Sequence, residues 1–551
     1  GITSKWFYHT LEKIFKNKTL DKIEDYVPAE ILKKYHLPTL KTALIWIHKP
    51  KNIRDAESAR KRFAFEEVFC IQLERQHDKF IYRKNKAFQI QPREKEVAEF
   101  LKRFPFSPTK SQIQSINTII EDMGRTFPMS RLLEGDVGSG KTAVAATASY
   151  VAQNERPQNK TGDKQTFGNL QTAYMAPTEI LAQQHYQSLE KLFSKLNIRV
   201  GLLTGSQKPN LKKEIVAKIN NGKIDIVVGT HALLSENVIF QKLGLVVVDE
   251  QHRFGVEQRK LIKQKGLGTH FLSMTATPIP RSLALMIYGD LDVSVINEMP
   301  PGRKKIITKI VEPVKRNKAY QFIREQVALG RQVFVICPLI EQNDEPEIEI
   351  INYPANPANE KKSVLSEYEK LSKHIFPDLR VGYLHGKLKS NEKEAAMSKF
   401  KDGKIDLLVT TSVIEVGVDI PNASVMMIEG AENFGLAQLH QFRGRVGRSI
   451  HQSYCLLFAN TNSTRASERL NFFEQTSDGF KLAEKDLEMR GPGEVYGTEQ
   501  SGEMNLRLAK LTDRELIKKA RDAAKTIVLN LDKYSQVMSK VKDWENRVHL
   551  E

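Results

Sequence analysis

The stretch that most constrains this chain is residues 131–142, which read Arg-Leu-Leu-Glu-Gly-Asp-Val-Gly-Ser-Gly-Lys-Thr. A short apolar strand leads into a glycine-rich loop, and a helix of small residues follows from Lys141 to about Val151. Glycines let backbone N–H groups turn inward around phosphate oxygens, and the N-terminus of the next helix adds positive potential. A chance glycine loop is the alternative, but the flanking strand and helix favour a phosphate site.

The spacing of this loop assigns a role to each residue type. It matches G-x-x-x-x-G-K-[ST], in which the lysine reaches the terminal phosphates of a nucleotide and the hydroxyl ligates Mg²⁺. The residues predicted to hold the nucleotide and the metal are Gly135, Gly138, Gly140, Lys141 and Thr142.

An acidic pair supplies the second half of a nucleotide-hydrolysing site. Residues 245–252 read Leu-Val-Val-Val-Asp-Glu-Gln-His, so an apolar strand delivers Asp249 and Glu250 to its C-terminal edge, where α/β sheets place ligands. Asp249 suits the Mg²⁺ shell, and Glu250 suits orienting and deprotonating the attacking water. An Asp-Glu pair after a strand is weak evidence alone, but together with the loop it predicts hydrolysis.

Two arginines in residues 441–448, which read Gln-Phe-Arg-Gly-Arg-Val-Gly-Arg, are candidates for supplying positive charge to a nucleotide-hydrolysing site. Arg445 and Arg448 are three residues apart and are expected to share a helix face. Arginines from a facing domain neutralise transition-state charge in phosphoryl transfer. The alternative is a basic face that binds DNA phosphates or has no ligand.

The chain around these motifs alternates strand and helix in two series, joined by a linker at 299–303. Apolar runs separated by helical patterns predict parallel sheets buried on both faces. The second series has no glycine loop of its own, and polar stretches at 153–171 and 341–359 are expected to be surface insertions. No internal repeat is evident by sequence, although the two halves are open to structural likeness. The predicted strands are 173–176, 224–229, 243–249, 270–274, 332–337, 380–383, 407–411 and 425–428.

Both ends of the chain are predicted to be helical. Residues 55–76 read as one amphipathic helix with Asp55 as its N-cap, and packing against the next domain is its simplest role. From about residue 460 the chain is helical and charged, and a lysine-rich amphipathic tail begins near residue 512.

Composition narrows the class of protein. Lys and Arg total 84 against 66 acidic residues, a net charge of +18, which favours a polyanionic partner, most simply nucleic acid. A solvated basic surface is the alternative, and charge alone does not separate the two. The three cysteines lie in apolar runs without zinc spacing, and no apolar run reaches the roughly 20 residues of a membrane span. We therefore expect a reduced, cytoplasmic protein. The missing initial Met suggests a piece of something longer.

Together these motifs resemble superfamily 2 helicases, most closely the RecG branch. The resemblance implies that ATP is the nucleotide, that Phe106 and Gln112 recognise adenine, and that Gly417 and Asp419 add contacts from the second series. It also implies strand contacts by Pro177, Thr178, Thr204, Gly205, Thr230, His231 and Thr411. The stretches that carry it are 106–112, 135–142, 176–185, 203–206, 229–233, 249–255, 273–281, 410–419 and 438–448.

Residues 478–502 narrow the branch, because they resemble a translocation motif shared by RecG and the transcription-repair coupling factor. The Arg-Gly-Pro-Gly-Glu form at 490–494 is similar to that of RecG. By this resemblance Arg469, Arg490 and Gln500 belong to a helical hairpin and loop that convert nucleotide-driven closure into steps along duplex DNA.

The resemblance implies an α/β fold with two RecA-like P-loop domains, at about 101–300 and 301–460. A helical connector precedes them at 1–100, and a C-terminal hairpin and helical tail follow at 461–551. It implies an ATP-dependent helicase and double-stranded DNA translocase that remodels branched DNA in repair and recombination. The expected state is a monomer, with a single-stranded DNA-binding protein as a further contact.

Two rival functions remain open, along with one departure from the family. A transcription-coupling translocase would need a polymerase-binding module, and a DNA-binding scaffold without hydrolysis would not need the intact catalytic motifs. Members of the RecG family carry an N-terminal wedge domain, and residues 1–100 do not resemble its barrel. We therefore expect this chain to bind a fork scarcely better than duplex DNA.

Overall fold

A computed structural model of the chain describes residues 4–17, 19–154, 169–266, 268–276, 286, 289–300, 304–338, 357–411, 420–447, 451–460, 463–489, 506–531, 533, 534 and 537. The chain divides into two compact units. We call residues 85–279 and 292–489 the two-sheet unit, and residues 1–84, 280–291 and 490–551 the helical unit.

The first sheet of the two-sheet unit is parallel throughout the described residues and has the order β3-β4-β2-β5-β6-β1-β7. Its central strands are fully buried because helices cover both faces. The strands are β1 Ser130–Gly135, β2 Gln171–Met175, β3 Val200–Leu203, β4 Ile226–Gly229, β5 Leu243–Val248, β6 His270–Thr275 and β7 Asp292–Ile296. The helices are α5 Glu94–Leu101, α6 Lys110–Met123, α7 Lys141–Asn154, α8 Glu179–Phe193, α9 Pro209–Asn220 and α10 Val256–Gln264, with 3-10 turns His231–Leu234 and Gln251–Arg253.

The second sheet is also parallel, with the order β10-β11-β9-β12-β13-β8 among the described strands. The strands are β8 Ile307–Val311, β9 Gln332–Ile336, β10 Val381–Leu384, β11 Leu407–Thr410, β12 Ala423–Glu429 and β13 Tyr454–Phe458. The helices are α11 Arg316–Ala328, α12 Pro357–Lys370, α13 Ser390–Lys401, α14 Leu436–Arg443, α15 Thr464–Gln475 and α16 Gly479–Met489, with short turns Pro313–Lys315, Leu371–Ile375 and Ala431–Asn433. The predicted α/β class with two RecA-like domains is confirmed.

The two sheets share a local design, a structural likeness that the sequence analysis left open. Arg199 pairs with Asp225 through its backbone N–H and its guanidinium at 2.7 to 2.9 Å, which fixes the start of β3 beside β4. Arg380 pairs with Asp406 in the same way at the start of β10. Each arginine heads an Arg-Val-Gly run, and each aspartate ends a Gly-Lys-Ile-Asp run.

The helical unit joins the two ends of the chain. Its long helix α4, Ile53–Lys84, packs along α17, Arg514–Val528. The Glu67 carboxylate of α4 accepts hydrogen bonds from the backbone N–H groups of residues 507, 508 and 509 at 2.9 to 3.2 Å. A carboxylate that satisfies three backbone donors anchors the segment that precedes α17. The other elements are α1 Ser4–Lys16, α2 Ala29–Tyr35, α3 Leu40–His48 and a 3-10 turn, Thr19–Lys22.

Helix α4 begins earlier and ends later than predicted. Asn52 accepts the backbone N–H of Asp55 at 3.0 Å, so Asn52 fills the N-cap role that the sequence analysis gave to Asp55. Asp55 instead accepts the N–H of Lys51 at 3.1 Å from inside the first turn. Buried Arg62 pairs with Asp25 and Glu66, which satisfies its charge within the core.

The cysteines and the apolar helices can be compared with expectation within the described residues. Cys70, Cys337 and Cys455 are buried free thiols. Among the helices that the structure describes, none is both long and apolar enough to cross a membrane.

Candidate nucleotide-binding site

The phosphate loop lies where buried β1 ends and α7 begins. Gly138 and Gly140 adopt φ values of 78° and 88°, which side chains rarely tolerate. A Cβ at Gly135 would lie 2.6 Å from the Ser139 hydroxyl, and one at Gly140 would collide with the Gln112 amide. The glycines are therefore required by this backbone, as the predicted phosphate cradle demands.

Lys141 lies at the start of α7 with its ammonium folded onto the loop. Its Nζ donates to the carbonyl oxygens of Gly135 and Asp136 at 2.7 and 2.9 Å. Burial lowers the pKa of Lys141, and the carboxylates of Glu250, Asp249 and Asp136 act in the opposite direction. The lysine thus lies close to the acidic pair predicted to work with it.

Gln112 binds the phosphate loop directly. A capping box with Thr109 fixes the start of α6, and the Gln112 side chain accepts the Thr109 N–H at 2.9 Å. Its Nε2 donates to the Ser139 carbonyl at 2.6 Å, so both halves of its amide are engaged. Phe106 is half-buried, with its ring centroid 5.8 Å from that of Phe104.

The acidic pair follows β5 as predicted. Asp249 is buried and accepts a hydrogen bond from His185 Nε2 at 2.8 Å. Burial opposes ionisation of Asp249, but the His185 bond and the Lys141 charge outweigh it and hold the pKa of Asp249 below its usual range. An ionised carboxylate and the half-buried Thr142 hydroxyl are oxygen donors of the kind that Mg²⁺ prefers.

Glu250 has a left-handed backbone, with φ 48° and ψ 56°. This conformation is costly for a residue with a side chain, and such strain concentrates at functional sites. The carboxylate accepts the N–H of Ala276 at 3.2 Å, which links the acidic pair to the end of β6.

The second sheet contributes α14 and the turn after it to the same site. His440 Nε2 donates to Asp136 Oδ1 at 2.5 Å, and Arg443 donates to His440 Nδ1 at 3.0 Å. Burial opposes ionisation of Asp136, but hydrogen bonds from His440 and the Val137 N–H, together with the nearby positive charge of Lys141, outweigh it and lower the pKa of Asp136. A Cβ at Gly444 would lie 2.7 Å from Val137 Cβ, so the two backbones approach as closely as glycine permits.

Arg445 is buried, and its charge acts on Lys141 across this junction. Helix α14 ends at Arg443, so Arg445 lies beyond the helix, and the expectation that Arg445 and Arg448 share a helix face is wrong. Gly447, with φ 78°, turns the chain after Arg445. Arg448 lies outside the described residues.

The predicted strand-contact residues lie at C-terminal ends of strands in their own sheets. Thr178 caps α8 after β2, and Glu179 accepts the Ser206 N–H at 2.8 Å, which ties that cap to the loop after β3. Pro177 is half-buried and follows β2. The other residues of this set are Thr204 and Gly205 after β3, Thr230 and exposed His231 after β4, and buried Thr411 after β11.

The remaining predicted residues are only partly within the described part of the chain. Arg469 on α15 donates to the Glu432 carbonyl. Gly417, Asp419, Arg490 and Gln500 lie outside the described residues. Sequence analysis assigned no role to His185, Asp136 or His440, because each is joined to its partner only by the fold.

Three known families match the chain in order. Residues 109–286 match the DEAD/DEAH box helicase family, and residues 315–450 match the helicase conserved C-terminal domain. Residues 476–547 match domain 3, C-terminal, of the ATP-dependent DNA helicase RecG.

Curated relatives extend that likeness across the chain. An ATP-dependent DNA helicase RecG from Bacillus subtilis is 42% identical over 92% of this chain and 71% of its own length. The chain belongs to the RecG family. RecG proteins from Synechocystis sp. and Thermotoga maritima are 46 and 44% identical over 92 and 96% of this chain. The chain spans only 58 and 64% of their lengths.

Solved structures agree with the RecG assignment. A structure of RecG bound to a three-way DNA junction has a TM-score of 0.73 and 39% identity, and the match covers 95% of this chain and 65% of that one. S. cerevisiae Dbp5 bound to RNA and ADP BeF3 has a TM-score of 0.50 and 18% identity over 73% of this chain and 99% of its own, which bears on the fold alone.

Proposed function

We propose that this RecG-family chain is an ATP-dependent translocase on double-stranded DNA that remodels branched DNA. The observation that carries the proposal is the group formed by Lys141, Asp249 and Glu250 from the first sheet, with the Arg445 charge acting on it from the second. A site assembled from two sheets couples nucleotide hydrolysis to their relative motion. A cytoplasmic location follows if the DNA lies there.

The proposed roles divide between nucleotide and metal. Lys141 and the loop N–H groups bind the terminal phosphates of ATP, while Thr142 and Asp249 hold Mg²⁺, which when bound neutralises phosphate charge. Glu250 orients and deprotonates the attacking water. Arg445 and Arg448 stabilise charge in the transition state, and Phe106, Gln112, Gly417 and Asp419 complete the nucleotide contacts.

The proposed DNA contacts are directed mainly at phosphates, because those contacts position a protein on DNA without reading its sequence. The net charge of +18 fits such a partner and predicts binding that weakens as salt rises. The set comprises Pro177, Thr178, Thr204, Gly205, Thr230, His231 and Thr411, with Arg469, Arg490 and Gln500 converting closure into movement.

The test of hydrolysis is the ATPase rate measured side by side without DNA and with single strand, linear duplex and a synthetic fork. We expect duplex and fork to stimulate the rate, and Lys141→Ala to abolish it in every condition. Lys218→Ala is the matched control, since that exposed lysine only pairs with Glu214 on α9. A chain that hydrolyses no ATP in any condition would refute the proposal.

Substrate choice needs a separate measurement. A salt-matched binding competition between fork and duplex of equal length tests whether this chain selects junctions. The sequence analysis predicts a preference below about tenfold, or 1.4 kcal/mol, and a larger preference would contradict that prediction and support branched DNA as the substrate. Equal binding restricts the proposal to translocation on duplex DNA.

A further inference from the structure

His185 is a polar side chain on a helix face that otherwise packs into the core. It lies on α8 one turn after buried Leu181 and one turn before buried Leu189, and its own exposure is 7%. A leucine would satisfy the helical pattern at this position. The imidazole instead directs Nε2 at Asp249 Oδ2, 2.8 Å away.

The other side of the ring meets Tyr174. The Tyr174 hydroxyl lies 3.5 Å from His185 Nδ1, the ring centroids are 4.8 Å apart, and Tyr174 is completely buried on β2. One buried string of polar side chains therefore runs from Tyr174 through His185 to Asp249, the carboxylate assigned to the metal.

The orientation of the Asp249 carboxylate is set by two hydrogen bonds. Oδ1 accepts the backbone N–H of Glu250 at 3.0 Å, and Oδ2 accepts from His185. Without His185, the bond at Oδ1 alone would leave the carboxylate free to swing about its Cβ–Cγ bond. Because Asp249 accepts from Nε2, the ring donates there and leaves Nδ1 to face the Tyr174 hydroxyl.

We propose that His185 and Tyr174 form the outer hydrogen-bonded shell of the metal site and fix the Asp249 carboxylate in its ligating orientation. His185 is then a positioning residue, and its role rests on the proposed function. Outer-shell partners of metal ligands typically change metal affinity by 10- to 100-fold.

The variants separate hydrogen bonding from packing. His185→Leu puts an apolar side chain of similar bulk in place of the ring and removes both nitrogens. His185→Gln retains an N–H that can reach Asp249. Tyr174→Phe keeps the ring and removes only the hydroxyl. His374→Leu is the matched control, since that exposed histidine lies in the turn Leu371–Ile375 of the second sheet and has no role in the proposed site.

The measurement is binding of a fluorescent ATP analogue to the full chain, titrated first without metal and then with Mg²⁺, alongside Mn²⁺ binding by electron paramagnetic resonance. In His185→Leu we expect metal affinity to fall 10- to 100-fold, with metal-free nucleotide binding within twofold of wild type. His185→Gln should recover to within about threefold, and Tyr174→Phe should fall between the two.

Each remaining outcome counts against a definite claim. Unchanged metal affinity in His185→Leu overturns the inference. Parallel loss of metal-free binding and thermal stability, unrelieved in His185→Gln, also overturns it by showing a purely structural residue. If the wild type binds nucleotide and metal but never hydrolyses ATP, the proposed function fails while the positioning role stands. If it binds neither, both fail.

Discussion

The approach of Gly444 to Val137 gives a perturbation that alters the junction between the two sheets without removing any reacting group. In Gly444→Ala the new Cβ would lie 2.7 Å from Val137 Cβ and 2.9 Å from each Val137 methyl. Carbon atoms prefer separations of about 3.5 to 4.0 Å, so the overlap is near 1 Å. Val137 Cβ is bonded directly to the backbone of the phosphate loop. The turn must therefore move away from the phosphate loop.

The cost of this overlap sets the expected size of the effect. Overpacking by one methyl group typically costs about 1–3 kcal/mol. If the strain applies only when the junction is closed, the closed population falls by about 5- to 150-fold, because each 1.4 kcal/mol is a factor of ten. We expect DNA-stimulated kcat to fall by a similar factor, with metal-free ATP affinity nearly unchanged.

A double-mutant cycle tests the cause. Val137→Gly removes the three atoms that lie nearest to the new methyl, so adding it to Gly444→Ala should recover at least tenfold in kcat relative to additive behaviour. Gly124→Ala is the control, since its Cβ would make ordinary contacts at 3.5 and 3.6 Å. A kcat for Gly444→Ala within threefold of wild type, or no coupling with Val137→Gly, would refute the reasoning.

Three further predictions concern other parts of the chain. Glu250→Gln should bind ATP normally and lose more than tenfold in hydrolysis, and single-turnover kinetics would contradict the base assignment if the rate were retained. Glu67→Ala should speed amide hydrogen exchange at residues 507–509, because it removes the acceptor of those three N–H groups. Glu57→Ala on the same helix should not, and exchange in Glu67→Ala at the wild-type rate would refute the anchor. Burial lowers the pKa of His270 to about 4, and its Nδ1 accepts the Met129 N–H. Its stabilising effect is therefore complete above pH 6.5 and lost as the pH falls toward 4. Between pH 7 and 5.5 the wild type should lose about 1 kcal/mol more unfolding free energy than His270→Asn in denaturant titrations, and parallel losses would contradict this.

The sequence could predict that the phosphate loop and the acidic pair lie together, because both follow strands of a parallel sheet. The carboxyl ends of parallel strands share one edge whatever their order, so the phosphate loop after β1 and the acidic pair after β5 had to lie at the same edge. The order β5-β6-β1 then brings the end of β6 between them, where Ala276 contacts Glu250. That order could not be read from the motifs.

Most of the strands that the sequence analysis did not predict lie at sheet edges. β3, β7 and β8 each form an edge of their sheet and carry alternating or partly exposed side chains, so they lack the continuous apolar run of a central strand. β13 is different, because Tyr-Cys-Leu-Leu-Phe is an apolar run that could have been recognised. Its neighbourhood of charged helical sequence hid it.

The same local arrangement of side chains occurs in both sheets, although the two sheets contribute different groups to the site. Gln171 donates to the carbonyls of residues 219 and 224 in the first sheet, and Gln332 donates to those of residues 400 and 405 in the second. The same scaffold therefore sets the second and third strands of both sheets, although only the first series carries the glycine loop.

The second sheet presents His440 and Arg445 to the loop region instead. Under the proposed function, one sheet binds the phosphates and the other supplies positive charge. We therefore expect neither sheet to hydrolyse ATP alone, and we expect the junction between Val137 and Gly444 to be where hydrolysis is converted into movement.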